Sequence, residues 1–404
     1  MITVIKGSIF TGEEWLEDSA VAFNEKEVRA VGEKARNIEA DTVIYADGKT
    51  VLPALIDCHV HLTMDGEPDP FEVMLKETEA EMAFRAIRNA HLHLSAGVLT
   101  VRSLGAKDHV DISFRNSVKK GVVSGPRIVA SGEPIVMTGG HGHVMAVEAD
   151  GETEVRKSAR LLLKKGADVV KLMATGGVMT TGVEPGSPQL SETEMRAACE
   201  EANHAGQTTA AHAQGVTGIK NAIRAGITSV EHGIFLDDEA IELMIHHGTH
   251  LVPTLAAPFH IVENGIEAGI PEDAVRKAEA VMTDHRESFI KAYQAGVKIA
   301  TGSDAGTPFN LHGDYVTEVK LMVESGMRPI DALKASTITA AQLLQVDSVT
   351  GSIEPGKKAD LLLVNGNPIE NIENLRNIEQ VYQSGRNISN EFIGEGLLST
   401  NNGE

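Results

Sequence analysis

The strongest constraint on the fold is an alternation of short apolar runs and amphipathic helical stretches between residues 56 and 349. Such alternation is typical of βαβ units, which build parallel sheets. The clearest helical stretches are Glu72 to Leu94 and Ser191 to Ala205, and the second begins with the capping pattern Ser191-Glu192-Thr193-Glu194. The eight candidate strands are Leu55–Val60, Val98–Leu104, Arg127–Ser131, Val169–Ala174, Thr208–Ala213, Ser229–His232, His250–Leu255 and Lys298–Ser303. Eight strand–helix units predict an α/β fold of the closed (β/α)8 TIM barrel type.

The two ends of the chain have a different, β-rich pattern. Short strands are predicted near each end, with a turn at Asp47-Gly48-Lys49. These strands are Ile2–Ile5, Ser19–Phe23, Val28–Val31, Thr42–Tyr45 and Asp360–Val364. Residues 1–55 plus 350–404 are therefore predicted to form one small β-sandwich domain beside a barrel of residues 56–349. An open doubly wound sheet is the alternative fold, but no G-x-G-x-x-G follows the first barrel strand.

Charge limits the classes of partner. The 404 residues carry a formal net charge of −21, from 36 basic and 57 acidic side chains. Nucleic acids and anionic membranes need a positive protein face, so neither is an expected partner. We expect no signal peptide and no membrane-spanning segment, because no basic region precedes an apolar stretch near Met1 and no run of about 18 apolar residues occurs. We expect a cytoplasmic protein whose partner is a small-molecule substrate.

Four histidines stand where predicted barrel strands end. His59 and His61 are two residues apart on a strand, so both rings point to the same side. His212 and His232 end the fifth and sixth predicted strands. The carboxyl ends of barrel strands hold the active site, and imidazole is a common ligand of transition metals. One such histidine would more often be structural, but four in this register predict a metal site.

Asp304 and Lys171 extend this pattern. Asp304 follows the eighth predicted strand, where a carboxylate can bind metal and accept a proton from water. The alternative role is a helix N-cap, but the eighth strand adjoins the first in a closed barrel, which favours a ligand. Lys171 lies inside an apolar strand, where an unpaired ammonium is costly. Either it is salt-bridged, or carbon dioxide carboxylates it into an anionic bridge between two metals.

The remaining candidates lie on helices and loops. The His91-Leu92-His93 pair ends a helical stretch and is predicted to be at the surface. His141, in a glycine-rich loop after the third strand, could reach the site. His312 and Asp314 are candidate substrate contacts, or alternatively part of a solvated loop. Specificity is expected from the loops Val178–Gln189, Phe235–Asp238, Ala256–Val262 and Thr307–Tyr315.

At these residues the chain resembles the amidohydrolase superfamily, in the branch of imidazolonepropionase-like enzymes and prolidases (Xaa-Pro dipeptidases). The resemblance covers nearly the whole chain, and the order and spacing of its motifs are specific. The matching segments are Leu55-Ile56-Asp57-Cys58-His59-Val60-His61, Lys171-Leu172-Met173-Ala174-Thr175-Gly176-Gly177, Ala211-His212-Ala213-Gln214-Gly215, Val230-Glu231-His232-Gly233, Thr301-Gly302-Ser303-Asp304-Ala305-Gly306 and the tail from Gly351 to Leu361.

The resemblance implies two divalent metal ions, with zinc as the expected metal. The implied ligands are His59, His61 and Asp304 for the more buried ion, His212 and His232 for the second, and carboxylated Lys171 between them. A hydroxide between the metals would attack the scissile carbonyl while Asp304 accepts its proton. His141 is similar to a family histidine that contacts the substrate carbonyl, so it is a candidate catalytic and substrate-binding residue. A homo-oligomer is also implied.

The leading hypothesis is hydrolysis of a C–N amide bond by a dipeptidase or carboxypeptidase that acts on dipeptides or N-acyl amino acids. Gln214, a candidate substrate contact, stands where prolidase-like members tend to carry Tyr, which counts against strict Xaa-Pro specificity. The alternatives are a cyclic-amide hydrolase and an ester or phosphotriester hydrolase. A non-catalytic binding barrel is least favoured, because all six implied ligands are present.

Overall fold

The computed structural model describes residues 1–389 and confirms the predicted α/β class. Its strands are β1 (Thr3–Phe10), β2 (Trp15–Phe23), β3 (Val28–Val31), β4 (Thr42–Pro53), β5 (Leu55–Val60), β6 (Val98–Ser103), β7 (Arg127–Ala130), β8 (Ile135–Val136), β9 (Val147–Glu148), β10 (Val169–Met173), β11 (Thr208–Ala213), β12 (Ser229–His232), β13 (His250–Val252), β14 (Leu361–Asn365), β15 (Ile378–Gln383) and β16 (Arg386–Asn387). Seven of the eight predicted barrel strands are present, with ends shifted by up to three residues.

Helices occupy most of the connections between the parallel strands. They are α1 (Glu33–Arg36), α2 (Pro70–Lys76), α3 (Glu79–Ser95), α4 (Val110–Lys119), α5 (Gly151–Lys165), α6 (Glu192–His204), α7 (Val216–Ala225), α8 (Asp238–His247), α9 (Ala256–Asn264), α10 (Glu272–Ala295), α11 (Tyr315–Glu324), α12 (Pro329–Ala335) and α13 (Ile338–Leu343). Within residues 1–389 none of them is long and apolar enough to cross a membrane.

Strands from both ends of the chain form one seven-stranded sheet in the order β16-β15-β14-β4-β1-β2-β3. This pairing agrees with the prediction that both termini share a β-rich region, although residues 390–404 of the predicted domain lie outside the described residues. The predicted turn at 47–49 is wrong. Those residues lie inside β4, where Gly48 adopts φ 70° and the register against β1 shifts, so a bulge replaces the turn.

The middle of the chain forms two parallel sheets, β5-β6-β7 and β13-β12-β11-β10-β8-β9. Backbone hydrogen bonds connect them. The amide of Asp168, just before β10, donates to the carbonyl oxygen of Ala130, the last residue of β7, at 2.8 Å. On the other side, residues 298–305 bridge β13 and β5, because Leu251 pairs with Ile299 and Val60 pairs with Ala305. The carboxyl ends of these strands therefore point toward one region.

The predicted eighth strand, Lys298–Ser303, is present only as isolated bridges rather than as a continuous strand. Tight packing explains part of this irregularity. A Cβ on Gly302 would lie 2.5 Å from Cγ1 of Val252 and 2.8 Å from Cβ of His59. Only glycine allows this close approach, which brings the end of the segment directly against β5.

Two further predictions need correction. The predicted helix Glu72–Leu94 is two helices, α2 and α3, because Thr78 interrupts it and caps α3 in a reciprocal capping box with Glu81. The predicted loop Ala256–Val262 lies inside α9. Oε2 of Glu318 accepts a 2.7 Å hydrogen bond from the amide of Ala256, which stabilises the first turn of that helix.

Candidate metal centre

The carboxyl ends of the parallel strands border a buried cavity. His59 lies in β5, and His61 follows one residue after that strand. Lys171 lies in β10 of the second sheet. His212 lies in β11, the strand beside it, and His232 ends β12, the next strand. Six predicted ligands line the cavity: His59, His61, Lys171, His212, His232 and Asp304. The structure thus brings together side chains that are up to 245 residues apart in sequence.

His59, His61 and Asp304 form the tightest group. Oδ1 of Asp304 lies 3.3 Å from Nε2 of His59 and 3.1 Å from Nε2 of His61. Each residue offers one ligand atom, and these atoms lie within 4.8 Å of one another. Among the described residues Oδ1 has no hydrogen-bond partner, although it is buried. An unsatisfied buried carboxylate oxygen facing two imidazole nitrogens is costly alone and fits a bound cation.

A buried carboxylate fixes the orientation of His59. Oε2 of Glu231 lies 2.9 Å from Nδ1 of His59, which leaves Nε2 facing Asp304. Oε1 of Glu231 accepts from Nη2 of Arg102 at 2.8 Å and from the hydroxyl of Ser229 at 2.5 Å. Burial alone would raise the pKa of Glu231, but the charge of Arg102 and the hydrogen bond to His59 lower it to about 2. Carboxylates that orient metal-binding histidines in this way are common in metal sites.

His212 and His232 each keep one ring nitrogen available for a cation. The hydroxyl of Thr254 donates to the carbonyl oxygen of Pro253 at 2.7 Å. Oγ1 of Thr254, 2.6 Å from Nδ1 of His232, therefore accepts the Nδ1 proton and leaves Nε2 unprotonated. Nε2 of His212 lies 3.2 Å from the carbonyl oxygen of Gly176, which can only accept, so Nδ1 of His212 is unprotonated. The two ring centroids are 4.5 Å apart.

Burial favours the neutral forms of His59, His212 and Lys171. It lowers the pKa of His59 to about 4, and it lowers the pKa of His212 well below its ordinary value. A neutral imidazole is the form that binds metal. Burial also lowers the pKa of Lys171 to about 8. Within residues 1–389 no ion pair involves Lys171, so its salt-bridged alternative has no support there.

A second buried contact positions His141. Nδ1 of His141 lies 2.8 Å from Oγ1 of Thr180, which also accepts a 3.1 Å hydrogen bond from the amide of Gly142. The ammonium of Lys277 donates to the backbone carbonyl of Thr180 at 2.9 Å and pairs with Asp273 at 2.6 Å. Helix α10 thereby holds the loop that carries Thr180. Since Oγ1 already accepts from Gly142, its own proton can go to Nδ1 of His141 and leave a proton on Nε2.

The other predicted substrate contacts divide into two groups. Gln214 lines the cavity, and its buried Oε1 has no partner among the described residues. His312 and Asp314 do not line it. The ring of His312 bridges the carbonyl oxygen of Met64 and the ring of His93, each at 2.8 Å. The predicted surface position of His93 is therefore wrong, because the last turn of α3 packs under the loop that carries His312.

Asp314 lies next to α11 and accepts a 2.6 Å hydrogen bond from Nη1 of Arg376, in the segment before β15. This contact connects the loop after residues 298–303 with the C-terminal part of the chain. The structure therefore places Asp314 as a link between segments, away from the cavity lining.

Two candidate ligands have left-handed backbone conformations. The φ angle is 72° at His232 and 61° at Asp304. Such values are uncommon for residues other than glycine and cluster at functional sites, where the surroundings compensate for the strain. At both positions the chain turns as it leaves the sheet, which directs each side chain toward the cavity.

Sequence reasoning missed the residues that orient the candidate ligands. Arg102 was detectable in principle, since a charged side chain inside the apolar run Val98–Ser103 poses the same problem as Lys171. Glu231 next to His232 gave a similar signal. Thr180 and Lys277 gave no such signal, because each lies in a segment whose composition is ordinary for a loop or an amphipathic helix.

Comparisons with known proteins agree with this geometry. The model of the amidohydrolase family matches residues 50–388. A solved Xaa-Pro dipeptidase with methionine bound in its active site is 34% identical, with a TM-score of 0.88 over 96% of this chain and 99% of that one. Ochratoxinase of Aspergillus niger is 28% identical over 97% of this chain and 88% of its own length.

Imidazolonepropionase of Geobacillus kaustophilus is 24% identical over 98% of this chain and 92% of its own length. The relatives thus include the branch that the sequence motifs predicted. The family match covers most of the chain and includes every candidate ligand of the cavity. This chain belongs to the amidohydrolase family.

Proposed function

We propose that this protein is a binuclear metal-dependent hydrolase that cleaves the amide C–N bond of a dipeptide or an N-acyl amino acid. The observation that carries the proposal is the unpartnered Oδ1 of Asp304 facing Nε2 of His59 and His61 in a buried cavity. The resemblance to a Xaa-Pro dipeptidase and to ochratoxinase supports the choice of an amide bond.

The donor set fits two divalent cations. His59, His61 and Asp304 would hold one ion, and His212 and His232 the other, with nitrogen and oxygen donors that suit zinc. Bound divalent metals polarise a carbonyl and make water a better nucleophile near neutral pH. The contacts of Glu231 and Thr254 support the assignment, because they occupy the far nitrogen of one histidine in each group.

Lys171 completes the proposed centre as a carboxylated side chain. Its lowered pKa of about 8 increases the fraction of neutral amine near physiological pH, and the neutral amine is the form that adds carbon dioxide. Carboxylation would turn a buried cation into an anion beside four histidines. That anion would lie between the two proposed ion positions and would remove the cost of an unpaired ammonium.

Three residues of the cavity would act on the substrate directly. Asp304 would accept a proton from the attacking water and pass it to the leaving nitrogen. His141, neutral because burial lowers its pKa to about 3, would donate a hydrogen bond from Nε2 to the scissile carbonyl oxygen. The unpartnered Oε1 of Gln214 would accept a hydrogen bond from the substrate.

We also propose that seven strands of the two parallel sheets close into one eight-stranded barrel, with residues 298–303 as its eighth strand; the seven are β5, β6, β7, β10, β11, β12 and β13. The backbone bonds from Asp168 to Ala130 and from Leu251 to Lys298 support closure, as does the pairing of Val60 with Ala305. The seven-stranded sheet supports a separate small domain made of residues 1–55 and 350–404.

The proposal is tested with a panel of dipeptides, N-acyl amino acids, cyclic amides, esters and phosphotriesters. The expected result is release of a free amino acid from the first two classes by wild type, and loss of that activity in His59→Asn and His212→Asn. An Asn variant of His247, outside the cavity lining, serves as the control and is expected to stay active. Turnover of only cyclic amides or esters would refute the proposed substrate class.

A further inference from the structure

The cavity wall outside the proposed metal centre is apolar except at His141, Gln214, His285 and Thr307. Phe71 comes from α2, Val178 and Met179 come from the loop after β10, and Ile261 comes from α9. Met145 and Met173 add two more unbranched, polarisable side chains. Such side chains adapt to flat or irregular apolar groups and provide no hydrogen bond for a charged one.

Few charged side chains line the cavity. Among the described residues that line it, Lys171 and Asp304 are the only Lys, Arg, Asp or Glu side chains. The sole carboxylate, Asp304, already faces the Nε2 atoms of His59 and His61. No second acidic side chain of residues 1–389 lines the cavity, and the proposed carboxylate on Lys171 would be engaged by the metal ions, so a cation of the substrate would have no free counter-charge.

We infer that the enzyme selects substrates whose acyl group is apolar and has no free α-ammonium, so that it favours N-acyl amino acids over free dipeptides. This inference rests on the proposed function and decides between the two substrate classes named there. The ammonium of a dipeptide is attached to the carbon next to the scissile carbonyl carbon. It must therefore enter the cavity together with the carbonyl, and it cannot remain in solvent.

Two physical effects disfavour that ammonium. Burying an unpaired charge is costly, because its hydration is lost without a compensating partner. Divalent cations held beside the scissile carbonyl would also repel it. The carboxylate of the departing amino acid is in the opposite situation, since those cations attract it. The enzyme therefore discriminates against a cation on the acyl side of the scissile bond. It accepts a substrate with a free C-terminal carboxylate.

The test compares pairs of compounds that differ only in the ammonium. L-phenylalanyl-L-leucine is matched with 3-phenylpropanoyl-L-leucine, and the same pair is made with C-terminal Phe, Met, Pro and Lys. With the metal-loaded enzyme we expect kcat/KM to be at least about tenfold higher for each des-amino compound that is hydrolysed. Equal or faster hydrolysis of the free dipeptides would overturn the inference.

Binding of the two acids distinguishes a failure of this inference from a failure of the proposed function. The affinities of 3-phenylpropanoate and L-phenylalanine for the metal-loaded protein are measured by calorimetry and do not require turnover. If no compound is hydrolysed, the proposed function fails, and the two affinities still decide the inference. We expect 3-phenylpropanoate to bind at least about tenfold more tightly, and equal affinities would overturn the inference.

A gain-of-function variant gives an independent check. Met179→Glu places a carboxylate in the apolar wall at a half-buried position, and Met179→Gln is the neutral control of similar size. The Glu variant is expected to shift the ratio of kcat/KM toward the free dipeptide by at least about tenfold relative to the Gln variant. The same ratio in both variants would contradict the role assigned to the missing counter-charge.

Discussion

Glu231 holds His59 through a 2.9 Å contact between Oε2 and Nδ1, and both side chains are buried. The same carboxylate accepts from Arg102, which is fully buried. A charge pair inside the sheet therefore fixes the direction in which His59 presents Nε2. The proposed metal centre thus depends on residues that do not line the cavity as well as on its ligands.

Replacing Glu231 with Gln is expected to lower zinc affinity about 10- to 100-fold, because the carboxylate no longer orients His59. The buried charge of Arg102 also loses its partner, which is expected to reduce the free energy of unfolding by about 3 to 5 kcal/mol. Zinc titration against a competing chelator and urea denaturation measure the two effects. Glu200→Gln, on the exposed side of α6, is the control. Unchanged zinc affinity in Glu231→Gln would contradict the orienting role.

Thr180 is expected to act through His141. Thr180→Val removes the hydroxyl that contacts Nδ1 and is expected to lower kcat about tenfold or more, with little change in KM, because the affected hydrogen bond strengthens in the transition state. Thr180→Ser keeps the hydroxyl and is expected to restore most of kcat. Steady-state kinetics on a hydrolysed substrate provide the comparison. A similar loss in both variants would indicate a packing role for the side chain instead.

Glu318 is expected to make stability depend on pH. Burial raises the pKa of this carboxyl to about 8 in the folded protein, against an ordinary value of 4.5. The folded state therefore holds a proton that the unfolded state releases between those values, so the contribution of Glu318 to stability falls as pH rises from about 4.5 to 8.

Denaturation of wild type and Glu318→Gln at pH 5, 6, 7 and 8.5 tests this prediction. The variant cannot ionise, so its stability relative to wild type should increase steadily across the range. Asp57, whose pKa burial raises to about 7, is present in both proteins and largely cancels in the difference. Glu324→Gln, at the exposed end of α11, is the control. A difference that does not change with pH would contradict the assignment.

The sequence predicted the parts of the fold that depend on local pattern. The strand containing His59 and the strand ending at His232 were predicted with their observed bounds, because apolar runs and strand length are local properties. The same reasoning gave the i, i+2 relationship between His59 and His61. Four histidines of the cavity lining were predicted because each stands at or next to the carboxyl end of a predicted strand.

Features that depend on tertiary contacts were not predicted. The helix at Ala256 replaced a predicted loop because the side chain of Glu318, distant in sequence, accepts a hydrogen bond from its first turn. The break at Thr78 was hidden by the helical composition on both sides of it. The position of His312 likewise depends on a contact with His93, which is 219 residues away in sequence. No local pattern encodes partners at such separations.

The most direct test of the account is metal content by elemental analysis of wild type and Lys171→Ala, each prepared with zinc and bicarbonate. The proposed centre predicts about two zinc ions per wild-type chain, because its proposed ligands form two groups that carboxylated Lys171 would connect. The Lys171→Ala protein should bind clearly less zinc and lose hydrolysis of N-acyl amino acids. Wild type without bound metal, or a Lys171→Ala protein with the same zinc content and activity, would contradict the binuclear centre proposed for this cavity.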